Sequence, residues 1–166
     1  MERVVKFRGK TLSGKWVYGD LVHFTNTQGV DTSVIITEHQ ATAESDDFDY
    51  ALCYARNEFK IVLPESVGQF TGLYDVNGEE IYEGDVVRNK EVGGYGFEYV
   101  GVVRYYDEDA RFGIDTTATC EFSKRVLFSV GESCINDGHY TITYTNEYKV
   151  IGNIHDNPNL LTNGRD

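Results

Sequence analysis

The sequence is poor in residues that would tie it to a chemistry or to a membrane. It holds three cysteines, Cys53, Cys120 and Cys134, an odd and scattered set that supports neither a disulfide framework nor a zinc ribbon. Free thiols in a reduced cytoplasm are the expectation. His23, His39, His139 and His155 form no ligand pair with a cysteine or with one another, so neither a zinc motif nor a Cys-His nucleophile is read. There is no Asn-x-Ser/Thr sequon, and no apolar run approaches the ~20 residues of a membrane span. The opening stretch MERVVKFRGKTLSGK has no apolar segment between its charges, so no signal peptide is expected.

Cations are scarce too. Lys plus Arg is 15 against 27 for Asp plus Glu, a formal charge of −12. Such a surface repels phosphate backbones and anionic lipid. Duplex DNA and membranes are therefore not expected as partners, whereas a basic protein is compatible. What is present favours sheets: 12 tyrosines and 17 glycines suit strands and tight turns better than helices, and a 40% hydrophobic fraction suffices for a core. A chain of 166 residues makes one domain or two small ones.

Residues 67–87, VGQFTGLYDVNGEEIYEGDVV, organise the rest. They read as an apolar strand, a tight turn, a returning strand and an acidic glycine corner that launches another strand. Asn77-Gly78 predicts a two-residue type I′ turn with positive φ at both residues. A turn centred there sets Tyr74 opposite Ile81 and Leu73 opposite Tyr82. Gly84 permits a bend where a Cβ would clash. Asp85 is placed to accept a hydrogen bond from an amide which that bend leaves free. Gly19-Asp20 sits in a similar setting, an aromatic residue before Gly-Asp and two apolar residues after it, and is read as the same turn device used again.

Alternation and β-branched runs predict further strands over 3–7, 15–24, 33–37, 59–63, 85–89, 99–106, 111–116, 140–144 and 147–154. Residues 50–56 fit a strand or a helical turn. Residues 121–130 fit a helix by the spacing of Phe122, Val126 and Val130, and a strand by β-branched content. Pro158 opens a short helical turn that tucks in Leu160 and Leu161. The expected fold class is all-β, with an N-terminal β-rich part over 1–66, a second part over 67–161 and a frayed tail over 162–166.

Three blocks carry a family resemblance. They are Lys6-Phe7-Arg8-Gly9 with Lys15-Trp16-Val17-Tyr18-Gly19-Asp20-Leu21-Val22, then the 67–87 stretch, then Val150-Ile151-Gly152-Asn153-Ile154-His155-Asp156-Asn157-Pro158-Asn159-Leu160-Leu161. In order and spanning nearly the whole chain, they resemble the YopX family of bacteriophage and prophage proteins. The resemblance implies a β-rich fold with a small SH3-like barrel, here in the C-terminal part, and a phage or prophage origin in a bacterial cytoplasm. It implies no activity, so no catalytic residue is carried over.

The residues themselves offer no catalytic, cofactor or metal site. Asp75-Val76-Asn77-Gly78 places its glycine fourth, whereas a calcium loop of the EF-hand type needs it sixth. Gly93-Gly94-Tyr95-Gly96 lacks the Lys-Ser/Thr ending of a phosphate loop and reads as a hairpin loop. Tyr95 and Phe97 on it are candidate partner contacts. Two acidic clusters, Asp46, Asp47 and Asp49, and then Asp107, Glu108 and Asp109, read as solvated turns and as the candidate surfaces for a basic partner. Trp16, Tyr18, Tyr99, Tyr105 and Tyr106 suggest a base-stacking face, but Arg88, Lys90 and Arg104 supply only a small basic patch beside it. The reading is a non-enzymatic accessory protein that acts by binding, to a basic host or phage protein and to itself. The alternative is a nucleic-acid-associated factor using the aromatic face of the small barrel.

Overall fold

A computed structural model describes residues 4–25, 27–37, 59–89, 99–116, 125–127, 134–136, 141–143 and 148–161. The chain divides into two compact units, Met1–Phe70 and Thr71–Asp166. Every pairing described between strands is antiparallel. The all-β expectation is met. Among the described residues no helix is long and apolar enough to cross a membrane.

The first unit holds β1 (Phe7–Lys10), β2 (Trp16–Thr25), β3 (Asp31–Thr37) and β4 (Phe59–Val62). They lie in the order β4-β3-β2-β1, with the start of β5 (Gly68–Tyr74) against β1. The sheet curves until its first and fourth strands meet. Thr11 bridges Val62, the Leu63 amide donates to the Lys10 carbonyl at 2.8 Å, and the Lys10 amide donates to Ser66 Oγ at 2.8 Å. Ser66 ends a 3₁₀ turn, Pro64–Ser66, and its hydroxyl donates to the Leu63 carbonyl. The glycine at position 9 allows this approach, since a Cβ there would fall within 2.9 Å of the Val62 side chain. Val34, Ile35, Val62 and Phe70 are buried.

The second unit contains β6 (Glu80–Tyr82), β7 (Asp85–Asn89), β8 (Tyr99–Tyr106), β9 (Arg111–Asp115), β10 (Arg125–Leu127), β11 (Cys134–Asn136), β12 (Thr141–Thr143) and β13 (Tyr148–Asn153). A five-stranded sheet runs β10-β9-β8-β7-β13, and β11 pairs with β12. Its core is Ile81, Val87, Val103, Phe112, Ile114 and Tyr148, with Leu73 and Val150 packed on it. Burying such a cluster stabilises by ~1.5–3 kcal/mol per large side chain before conformational entropy is counted. Residues 125–127 are strand, which decides that part of the ambiguous 121–130 segment. Pro158–Leu161 forms a 3₁₀ turn, as its proline predicts. Residues 50–56 lie outside the described set.

The first strand begins at Phe7 and runs to Lys10 instead of spanning 3–7, and two turn expectations also need correction. The hairpin loop holds three residues, not two. The Asp75 amide donates to the Glu79 carbonyl at 2.8 Å, and the Gly78 amide donates to the Asp75 carbonyl at 3.0 Å. Gly78 has φ +82°, and Asn77 is not among the residues of positive φ. This is a type I turn followed by one left-handed residue, the usual three-residue hairpin loop. Counting out from the Asp75–Glu79 pair sets Leu73, not Tyr74, opposite Ile81. Burial agrees, because Ile81 is fully buried and Tyr74 is 59% exposed. The second correction concerns Gly19. Gly84 does sit in a turn, at φ +82°, with Tyr82 N donating to Asp85 Oδ2 at 2.7 Å as anticipated. Gly19, by contrast, lies inside β2, paired with Phe7 on one side and Thr37 on the other. A Cβ at Gly19 would fall 1.9 Å from the Ile36 carbonyl oxygen. Glycine serves strand approach there, and Asp20 is an exposed strand residue, not a turn residue.

Candidate interaction surfaces

Register places a set of apolar side chains on one face of the first unit's sheet. Across β2 and β3, Asp20 lies opposite Ile36, Val22 opposite Val34 and Phe24 opposite Thr32. Across β3 and β4, Val34 lies opposite Ile61 and Ile36 opposite Phe59. Directly opposed residues in an antiparallel pair share a face. The row Val22-Val34-Ile61 is thus flanked by Phe24 and by Ile36-Phe59. Val34 is buried, while Val22, Phe24, Phe59 and Ile61 are 40%, 48%, 47% and 53% exposed. Single exposed apolar residues are ordinary, but here two exposed pairs, Val22 with Phe24 and Phe59 with Ile61, flank the buried Val34 on one sheet face, and apolar groups gathered in this way mark interaction sites. The opposite face carries Leu21, His23, Ser33, Ile35 and Val62, where Ser33 Oγ lies 3.1 Å from His23 Nδ1. Local sequence pattern alone does not reveal this patch. Its signal was the alternation of Val22 with Phe24 and of Phe59 with Ile61, which becomes a surface only once β3 is known to lie between β2 and β4.

The five aromatic residues are divided between the two units. Trp16 and Tyr18 belong to β2 in the first unit, Tyr99, Tyr105 and Tyr106 to β8 in the second. The Arg8 guanidinium lies 4.8 Å and Lys10 Nζ 5.9 Å from the Trp16 ring centroid, and Lys6 Nζ lies 5.9 Å from that of Tyr18. These are cation–π distances. Tyr105 packs edge-on to Phe112 at 5.1 Å.

The acidic turn forms where sequence places it. The Asp109 amide donates to the Tyr106 carbonyl and the Ala110 amide to that of Asp107, both at 3.2 Å, and Ala110 takes φ +50°. Asp107 and Glu108 are exposed and Asp109 is half-buried. Asp46, Asp47, Asp49, Tyr95 and Phe97 lie outside the described residues. No group of three or more His, Cys, Asp or Glu side chains among the described residues could hold a metal ion.

Asp75 is the most heavily bonded carboxylate in the hydrogen bonds described. Its Oδ1 accepts from the amides of Asn77 at 2.7 Å and Glu79 at 3.0 Å, and its Oδ2 from the Val150 amide at 3.2 Å and Asn77 Nδ2 at 3.3 Å. Burial pushes its pKa up, but donation from the Glu79, Asn77 and Val150 amides and the Asn77 side chain outweighs that and holds it below the ordinary value. The Val76 amide donates to the Tyr148 carbonyl at 2.9 Å. The hairpin loop thus covers the outer edge of β13 and removes an edge that would otherwise invite pairing. Asp75 is structural, and its carboxylate is fully engaged.

The fold and these surfaces can be set beside known proteins. The crystal structure of protein EF1440 from Enterococcus faecalis is similar to this chain at 23% sequence identity, covering 96% of this chain and 99% of that one, with a TM-score of 0.49. No curated protein matches. The model of the family described as YopX protein matches residues 6–162, so the chain belongs to the YopX family.

Proposed function

We propose that the chain is a non-enzymatic accessory protein of a phage or prophage that acts by binding a protein partner and by associating with itself. The observation that carries the binding reading is the exposed apolar row of Val22, Phe24, Phe59 and Ile61 on one sheet face. Interfaces draw on aromatic and aliphatic anchors of this kind held on a rigid support. The charge of −12 supports a basic partner, drawn in over roughly a Debye length of ~8 Å at physiological ionic strength. An SH3-like closure of the second unit belongs to the same proposal, supported by the return of β13 antiparallel beside β7. The test is capture of partners from host extract on the immobilised chain, identified by mass spectrometry. Enrichment of one basic protein over a control surface, weakening as salt rises, is the expected result. Recovery of nothing above control from host and infected extracts alike would refute the reading.

A further inference from the structure

We infer that Asn77-Gly78 is a site of self-modification, where slow deamidation of Asn77 in water releases the hairpin loop from β13, and that Asp75 restrains the reaction while the loop is closed. This site is independent of the binding face proposed above. Asparagine before glycine is the pair that crowds the reacting atoms least, because residue 78 has no side chain. Both residues are exposed, and a Cβ at Gly78 would meet nothing within 4 Å, so water and a new ring have room. The Gly78 nitrogen loses its proton and attacks Asn77 Cγ. The N–Cγ bond forms, the Cγ–Nδ2 bond breaks, and ammonia leaves with the proton, giving a cyclic imide. One water then opens either C–N bond of the imide ring. Residue 77 becomes aspartate or, with the chain running through its side-chain carbonyl, isoaspartate. Nothing is oxidised or reduced.

The closed loop opposes the attack through one residue. The Gly78 amide, the nucleophile, donates to the Asp75 carbonyl at 3.0 Å. Asn77 Nδ2, the leaving group, donates to Asp75 Oδ2 at 3.3 Å, and the Asn77 amide donates to Asp75 Oδ1 at 2.7 Å. Asp75 is itself buried and tied to the amides of Glu79 and Val150. The carboxamide and the nitrogen it must meet are both held on residue 75, so reaction waits for local opening of the loop. The product reverses the contact. In aspartate, an anionic oxygen replaces the NH₂ group that faces Asp75 Oδ2, and two carboxylates meet where a donor met an acceptor. The same Oδ2 accepts from the Val150 amide, so the tie to β13 weakens with it. In isoaspartate, an extra backbone atom between residues 77 and 78 breaks the geometry of the Gly78–Asp75 turn bond. Either product loosens the loop that covers the outer edge of β13 and bares that edge for pairing.

The test incubates the full chain at physiological pH and temperature and follows residue 77 by peptide mapping with mass spectrometry. Mapping separates it from Asn163-Gly164, the other Asn-Gly step in the sequence. A synthetic peptide of residues 73–81 is the unrestrained reference. The chain is expected to convert Asn77 to aspartate and isoaspartate at least about tenfold more slowly than the peptide. Asp75→Asn should recover much of that difference, because in either orientation of its amide one of the two side-chain holds on Asn77 is lost. Val103→Ala truncates the core of the same unit away from the loop, and should leave the rate near that of wild type. Circular dichroism checks that each variant is folded. Asn77→Asp supplies one product directly and should speed hydrogen exchange at the Val76 and Val150 amides while the chain stays folded. Residue 77 still intact in the folded Asp75→Asn chain once the peptide has converted completely overturns the site. Wild-type conversion as fast as the peptide overturns the restraint, and so do equal rates in wild type and Asp75→Asn or equal acceleration by Val103→Ala. Unchanged exchange at Val150 in Asn77→Asp overturns the release of β13.

Discussion

Replacing Asp75 tests how the second unit is held together. Each carboxylate oxygen accepts two hydrogen bonds, Oδ1 from the Asn77 and Glu79 amides and Oδ2 from the Val150 amide and Asn77 Nδ2. Asparagine is nearly isosteric but has one acceptor oxygen. In either orientation its NH₂ group faces two donors, so one pair of bonds is lost and those donors meet a donor. Bonds to a charged group contribute ~1.5–3 kcal/mol each, but Asn77 and Glu79 are exposed and their amides can regain water. The Val150 amide, 75 residues distant in sequence and half-buried, cannot do so easily. Asp75→Asn is expected to cost about 2 kcal/mol and Asp75→Ala about 3 kcal/mol. The pH dependence has a definite sign. The folded pKa lies below the ordinary value, so the contribution is complete above about pH 4, the unfolded range, and is lost as pH falls through the lower folded value. Asp75→Asn should therefore show a shallower acid limb as well as a lower urea midpoint. The single tryptophan, Trp16, lies in the first unit, so its fluorescence does not report this event. Far-ultraviolet circular dichroism with amide hydrogen exchange at Val76 and Val150 does. An unchanged midpoint, acid limb and Val150 exchange rate in Asp75→Asn would refute the reasoning.

Gly78→Ala is expected to cost about 1 kcal/mol, because φ is +82° but a Cβ would meet nothing within 4 Å, and Gly78→Val should cost more, as β-branching crowds that backbone. Gly19→Ala should cost more than Gly78→Ala despite the same added methyl, over about 3 kcal/mol, because its Cβ would collide with the Ile36 carbonyl; equal urea midpoints for the two variants would sink that comparison. Arg104→Ala should change stability by less than about 1 kcal/mol, since the Arg104–Asp115 pair at 3.1 Å is solvated; a thermal shift beyond that would mean the pair is worth more than its exposure implies. Self-association predicts a mass above the monomer in light scattering at micromolar concentration, and a monomer mass there would refute it.

Strands were legible where local pattern and burial agreed. Residues 85–89 and 99–106 form β7 and β8 over the expected ranges, because β-branched runs flanked by glycine and acidic turns leave little alternative. The hairpin turn was legible in position but not in type. Asn77-Gly78 alone favours the two-residue form, but Asp75 two residues earlier captures the Asn77 amide on its side chain and stabilises a type I turn from position i. Gly19-Asp20 misled for a related reason. The local motif matched that of Gly84-Asp85, while the deciding fact, β3 pressing its Ile36 carbonyl against residue 19, is a long-range contact that a local motif cannot encode. The apolar face was illegible for the same cause. Phe24 and Ile61 are 37 positions apart in sequence, and only the β2-β3-β4 register makes them parts of one surface.

The second and third blocks of the family resemblance meet physically, and the way they meet explains why they accompany one another. β13 pairs with β7 through Val150–Val87 and Asn153–Asp85, and its outer edge is covered by Val76 and Asp75 of the hairpin loop. The Ile154 amide donates to the Gly84 carbonyl at 3.0 Å, which anchors the last block to the acidic glycine corner of the central one. Asn153 Oδ1 accepts from the amides of His155 and Asp156, closing the turn that leads into Pro158–Leu161. Every polar group named in that clasp is consumed by the clasp. In these two blocks the side chains of Asp75 and Asn153 are engaged in holding two strands, a loop and a turn together. Away from the clasp, the face of Val22, Phe24, Phe59 and Ile61 keeps apolar side chains open to solvent on a sheet. Disrupting the clasp should therefore destabilise the second unit, whereas serine at Phe24 and Ile61, both about half exposed, should leave the thermal melt unchanged.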